Sequence, residues 1–177
     1  TAAFVTAATA ADFPGYDKLA VTTSHREAPI AASVWYPAGK ATYKSPIGDN
    51  PVFKGTSAYV GPAIAEGKYP LVVFSHGSGG NMDNMGWLAS ALVENGVMVL
   101  GLNHPGSTSG DSSPRRSLDF ASRAADVGAA LSQVLKDPVF GPHVDVGNIS
   151  VLGFSLGGAT ALTIAGARMD RALYRKY

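Results

Sequence analysis

The sequence predicts an α/β protein with a mainly parallel sheet and helices on both faces. Two observations carry that prediction. Three short apolar stretches read as buried strands: Pro70–Phe74, a continuous apolar run, and Val97–Leu102 and Ile149–Phe154. Each is followed by a stretch with helical spacing, and strands alternating with helices imply right-handed crossovers.

Taken in order, residues 1–18 are small and polar, with Phe4, Phe13 and Tyr16 as isolated anchors, and read as an extended N-terminal arm. Leu19–Ser24 and Ile30–Tyr36 interleave Val, Ile, Trp and Tyr and read as an antiparallel hairpin closed by Pro37. Residues 37–69 are rich in Pro and Gly and read as one long surface loop. After the strand at 70–74 comes Ser75-His76-Gly77-Ser78-Gly79-Gly80. A helix over Asp83–Asn95 follows, with Met85, Leu88, Ala89, Leu92 and Val93 on one face and Asn95-Gly96 as its stop. Val97–Leu102 is a strand, and Asn103–Pro114 is a turn-rich loop containing His104-Pro105-Gly106. Ser117–Lys136 is the longest helical pattern, stopped by Pro138. The strand at 149–154 then leads into a small-residue helix from Leu156 to about Arg168. No internal repeat or second domain is visible, so residues 19–177 read as part of a single domain.

Composition narrows the function classes. A hydrophobic content of 46% with 15% charged residues describes a chain with a sizeable core, not a disordered one. A net charge of +1 without runs of Lys or Arg leaves no footprint for nucleic acid; Arg115-Arg116 reads as a solvated loop. Without cysteine there is no disulfide, thiol nucleophile or thiolate metal site, and the four His residues lack metal-ligand spacing. No metal or organic cofactor is therefore expected, and no apolar run has the length of a membrane span. The start at Thr1, the Ala/Thr-rich stretch after it and the low charge predict an exported protein, secreted or periplasmic.

The chemistry concentrates at Gly153-Phe154-Ser155-Leu156-Gly157. Strand, G-x-S-x-G and helix in this order form a nucleophile elbow, the turn that presents a catalytic serine. Glycines flank such a serine because a Cβ there would clash with strand or helix. Ser155 is the candidate nucleophile, placed at a helix N-terminus whose amides favour developing negative charge. One oxyanion donor is expected from the Leu156 amide. The other comes from the glycine-rich loop after the earlier strand, with Ser78 chosen and Gly77 next. A phosphate-cradling reading of that loop fails because no Gly-Lys-Ser/Thr follows.

The remaining polar residues divide into supports and surface. His76 reads as a brace of its loop, with a substrate contact as its candidate role. Phe154 is the candidate for lining the pocket, although it and Trp35 and Trp87 fit a core role as well. His104 is expected to bond backbone and shape the pocket wall. His25 and His143 are expected at the surface, and Arg123 and Asp126 in an ion pair or cap of the long helix.

A serine needs a base, and the base needs an orienting acid. After Ser155 the sequence offers only Asp170 as an acid and no histidine, so acid and base are not identifiable in this chain. The elbow strand would also be left as a bare apolar edge. Both points lead to the expectation that a second polypeptide, the C-terminal part of the same precursor, completes the sheet and supplies acid and histidine.

Leu-Val-Val-Phe-Ser-His-Gly-Ser-Gly-Gly, Asn-His-Pro-Gly, Arg-Ala-Ala-Asp-Val and Val-Leu-Gly-Phe-Ser-Leu-Gly-Gly resemble the motifs of dienelactone-hydrolase-like and platelet-activating-factor-acetylhydrolase-like proteins. The resemblance spans roughly residues 20–177, the N-terminal two-thirds of such a protein. It implies an α/β-hydrolase fold whose later strands are absent here, with Ser155 as nucleophile and Ser78 and Leu156 as oxyanion donors. True dienelactone hydrolases use Cys, and Ser here implies ordinary carboxylic esters as substrates. Two alternatives stay open: an amidase, peptidase or acyltransferase with the same nucleophile, and an inactive hydrolase-fold binding module.

Overall fold

The computed structural model describes residues 14–41 and 43–174. One seven-stranded mixed sheet organises them. Its first strand, β1 (Pro14–Val21), pairs antiparallel with β2 (Ile30–Pro37) from Pro14 opposite Pro37 to Val21 opposite Ile30, which gives the expected hairpin. Residues 14–18, read from sequence as the end of the arm, thus belong to the sheet; residues 1–13, with Phe4 and Phe13, lie outside the described residues.

The predicted loop over 37–69 needs correction. It contains β3 (Lys44–Ile47) and β4 (Thr56–Val60), antiparallel to each other, and β4 runs parallel to β1. These strands are too short to show a pattern among Pro and Gly, and β4 joins the main sheet through a distant partner, β1.

The half of the sheet that matters for the site is parallel. β5 (Tyr69–Ser75) lies between β6 (Met98–Leu102) and β9 (Val144–Gly153) and is parallel to both. Between β6 and β9 come a two-stranded ribbon, β7 (Ser107–Thr108) and β8 (Asp111–Ser112), and the helices α2 (Pro114–Ser117) and α3 (Phe120–Lys136). The strand order β3-β4-β1-β2-β6-β5-β9 places β9 at an edge, with no strand beyond it among the described residues.

Each face of the sheet is covered by a helix. α1 (Gly86–Glu94) packs Ala89 and Val93 with Trp35, Phe74 and Val99 on one face. α3 packs Val127, Ala130 and Val134 with Val34, Leu71, Val73 and Leu100 on the other. Neighbouring β5 residues enter opposite clusters because strand side chains alternate. The helix predicted from Ser117 is two: Ser113 caps α2 through the Arg116 amide, and Asp119 caps α3 through the Ser122 amide. α4 (Leu156–Ile164) follows β9 and is shorter than predicted, and α5 (Arg171–Tyr174) is a single turn. Ile149 and Val151 of β9 pack against the α3 cluster, while Leu152, which points the other way, is 40% exposed. Trp35 is core, whereas Trp87 is 62% exposed and makes no part of it.

Candidate active site

Ser155 stands between β9 and α4 at φ 53°, ψ −116°, and it is the only non-glycine residue with positive φ among the described residues. Such a conformation costs free energy and persists only where the surroundings enforce it. Two glycines do so. A Cβ on Gly157 would overlap the Ser75 carbonyl oxygen, and one on Gly153 would overlap the Gly157 backbone. Helix, strand and elbow therefore meet closer than any side chain permits, and the turn leaves the Ser155 side chain exposed. Its hydroxyl has no hydrogen-bond partner among the described residues.

The glycine-rich loop after β5 lies against the elbow: a Cβ on Gly77 would touch Ser155 Cβ and Phe154 O at 3.3 Å. Its course is fixed from the 104–109 segment, where Gly79 N–H donates to Ser107 O at 2.7 Å and Ser109 N–H to Gly80 O at 2.8 Å. The amides of Ser78 and Leu156 have no acceptor among the described residues. Both residues border one cleft of about 330 Å³, together with Ser112, Ser113, Ser117 and Leu118. Phe154, 67% exposed, stands beside the serine.

His76 is placed differently from a substrate contact. It is 2% exposed, its Nδ1–H donates to Gly77 O at 2.6 Å, and its Nε2 accepts the His104 N–H at 3.2 Å. Burial pushes its pKa down to about 4, with His104 and Arg123 adding to the shift against the Gly77 bond, so the ring is neutral. It braces the loop from beneath.

The larger departure from the sequence reading lies under the elbow. Asp126, fully buried on α3, accepts His104 Nδ1–H at 2.9 Å, His25 Nε2 at 2.8 Å, and both Nε and Nη2 of Arg26 at 2.8 and 2.7 Å. Burial raises its pKa, but the bonds from His104, Arg26 and His25 outweigh this and hold the carboxyl at about 2. His104 is also fully buried, and its Nε2 meets Ser75 Oγ at 2.9 Å. With Nδ1–H committed to the carboxylate, Nε2 accepts the serine proton. Burial lowers the His104 pKa as well, against the pull of Asp126.

His104 is thus an interior residue bonded to two side chains, not part of a pocket wall, and His25 is exposed, as expected, while also bonding Asp126. His143 is half-buried at the surface, with Nδ1 on Gly67 O at 3.0 Å. Asp126 makes the ion pair that its place in the helix suggested. Asp126–His104–Ser75 has the connectivity of a carboxylate–imidazole–hydroxyl triad, but all three side chains are sealed from solvent, so no substrate reaches them. No imidazole bonds Ser155 among the described residues, and no cluster there could hold a metal ion.

This fold, with a strained serine between a parallel edge strand and a helix, defines a class. The family described as alpha/beta hydrolase fold matches residues 70–172, and the chain belongs to it. No curated protein matches the chain. Among solved structures it is similar to the ferulic acid esterase from Streptomyces cinnamoneus (21% identity, TM-score 0.73), covering 90% of this chain and 57% of that one. It is also similar to a dienelactone hydrolase-like promiscuous phosphotriesterase from metagenomic libraries (19% identity, TM-score 0.59), covering 86% of this chain and 54% of that one. A cold-adapted esterase from an Arctic intertidal metagenomic library gives 19% identity and a TM-score of 0.54, covering 86% of this chain and 54% of that one. The chain therefore spans little more than half the length of these structures.

Proposed function

We propose that this chain is the nucleophile-bearing, N-terminal part of a single-domain serine hydrolase that cleaves carboxylic esters. Ser155 Oγ attacks the acyl carbon as a base takes its proton. The resulting oxyanion is held by the amides of Ser78 and Leu156, the ester C–O bond breaks, and the alcohol leaves with the proton. Water then adds to the acyl-enzyme and releases the acid, restoring Ser155. The observation that carries this reading is the backbone of Ser155: an exposed serine at positive φ, enforced by two irreplaceable glycines, has no packing purpose.

The base and its acid belong, in this proposal, to a further polypeptide segment, the C-terminal part of the same precursor. The open edge of β9 supports that. Val146, Leu152, Phe154 and Leu162 are each at least 40% exposed on β9, the elbow and α4, where a further strand and its crossover helix would cover them. The test compares an activated acetate ester with the matching anilide on the complete protein and on Ser155→Ala. An ester turnover that needs Ser155 and exceeds anilide turnover supports the reading. Equal or faster anilide turnover assigns an amidase or peptidase instead, and ester turnover that persists in the variant overturns the nucleophile.

A further inference from the structure

The two proposed oxyanion donors sit on different elements, Ser78 on the loop after β5 and Leu156 at the first turn of α4. For two amides to hold one oxygen, their separation must be set to a fraction of an ångström. Nothing covalent nearby sets it. One buried side chain touches the supports of both.

Arg123 projects from α3 and is 2% exposed. Its Nη2 donates to His76 O at 2.5 Å and to Ser75 Oγ at 3.0 Å, at the root of the glycine-rich loop. Its Nε donates to Thr160 Oγ1 at 2.8 Å, and Thr160 in turn donates to Leu156 O at 3.2 Å. Its Nη1 donates to Ser107 Oγ, in the segment whose carbonyl holds Gly79. On one side the path to Ser78 runs through His76, whose ring grips Gly77. On the other side the path to Leu156 runs through a single hydroxyl.

The cost of this arrangement argues for a purpose. A buried guanidinium is expensive, and an apolar side chain of similar size would pack α3 against β5 and α4 at least as favourably. No carboxylate bonds Arg123; its partners are three hydroxyls and a carbonyl, so no ion pair explains its retention. Burial lowers its pKa to about 10, with Asp126 opposing, and the cation persists at neutral pH. What a guanidinium supplies and an apolar residue does not is a planar fork with fixed angles between its bonds.

We infer that Arg123 is a positioning residue that fixes the Ser78 loop and the Leu156 turn at the separation the oxyanion requires. This rests on the hydrolase reading above. It makes Arg123 act through His76 and Thr160, without touching substrate.

The test uses the complete protein. Wild type is first treated with a fluorophosphonate; absence of an adduct on Ser155 overturns the hydrolase reading and this role with it. With wild type labelled, the same probe counts active sites in Arg123→Lys, so that loss of folded protein is separated from loss of rate. The expected result is kcat per labelled site down about 100-fold with KM within about threefold, the range for misplacing an oxyanion donor. An unchanged kcat per site, or a loss confined to KM, overturns the role while leaving the hydrolase reading intact. Should Arg123→Lys fail to fold, Thr160→Val removes only the helix anchor and is expected to lower kcat per site about tenfold. An unchanged kcat in that variant overturns the role equally.

Discussion

The rim of the elbow and the polar chain directly beneath it obey opposite rules. At the rim, Ser155 is exposed and strained, its hydroxyl is without a partner among the described residues, and Phe154 is 67% exposed. Beneath it, Asp126 accepts four hydrogen bonds, His104 is bonded through both ring nitrogens, and Arg123 donates to four oxygens. One turn of α4 separates the two, from Ser155 to the buried Thr160. Water satisfies what the rim leaves open, whereas an unpaired group in the interior would cost the whole desolvation penalty. The foundation is therefore complete so that the rim can remain incomplete. In the proposed reading, chemistry belongs to the first region and stability to the second.

The largest expected effect separates the two regions outright. Ser155→Ala should reduce ester turnover at least about 10³-fold in the complete protein, with a thermal midpoint within a few degrees of wild type, since the Ser155 hydroxyl has no partner among the described residues. A large fall in midpoint would move Ser155 into the foundation. Asp126→Ala should do the reverse, leaving four donor groups on His25, Arg26 and His104 without their acceptor and costing about 3–5 kcal/mol in urea unfolding. A cost below about 1 kcal/mol would mean that the chain beneath the elbow behaves like a surface ion pair.

Gly157→Ala tests the contact between the regions. Its Cβ would meet the Ser75 carbonyl, backbone against backbone, so a loss of about 3 kcal/mol is expected. Acid should act on the foundation gradually. His76, ordinarily near 6.5, is held at about 4, so the unfolded chain binds its proton first. Stability is complete above about pH 6.5 and falls as pH drops toward 4. Asp126, held at about 2 against an ordinary 3.8, adds a second loss from about pH 4 down to 2. Urea midpoints measured across that range check both windows, and a flat profile between pH 7 and 4 would contradict the neutral, buried His76. The smallest effect is Gly79→Ala. Its Cβ meets nothing within 4 Å and only φ +66° resists, so about 1 kcal/mol is expected.

The elbow was legible in sequence because its constraint is local: five consecutive residues, a strand before and a helix after. The parallel strands β5 and β6 were legible for the same reason, each being a continuous apolar run; of β9 only the part from Ile149 was, because Val144–Asn148 carries Asp145, Gly147 and Asn148. β3 and β4 were not, because four- and five-residue strands among Pro and Gly show no alternation, and the pair is anchored to the sheet only through β1, far back in the chain. The foundation was half legible. Arg123 and Asp126 fall on the same stripe of α3 as Val127, Ala130 and Val134, and charged residues on a buried stripe signal a buried network. Their partners, His25, Arg26, Ser75 and His104, lie on other elements at separations that no local pattern encodes. His25 in particular carries no sequence mark of its contact with Asp126.

The most direct test of the central claim is intact-mass analysis of the native protein after reaction with a fluorophosphonate, followed by mapping of the adduct. One adduct is expected, on Ser155, in a sample that also contains the segment bearing acid and histidine. A complete protein that stays unlabelled would contradict it and assign the fold to binding instead of catalysis.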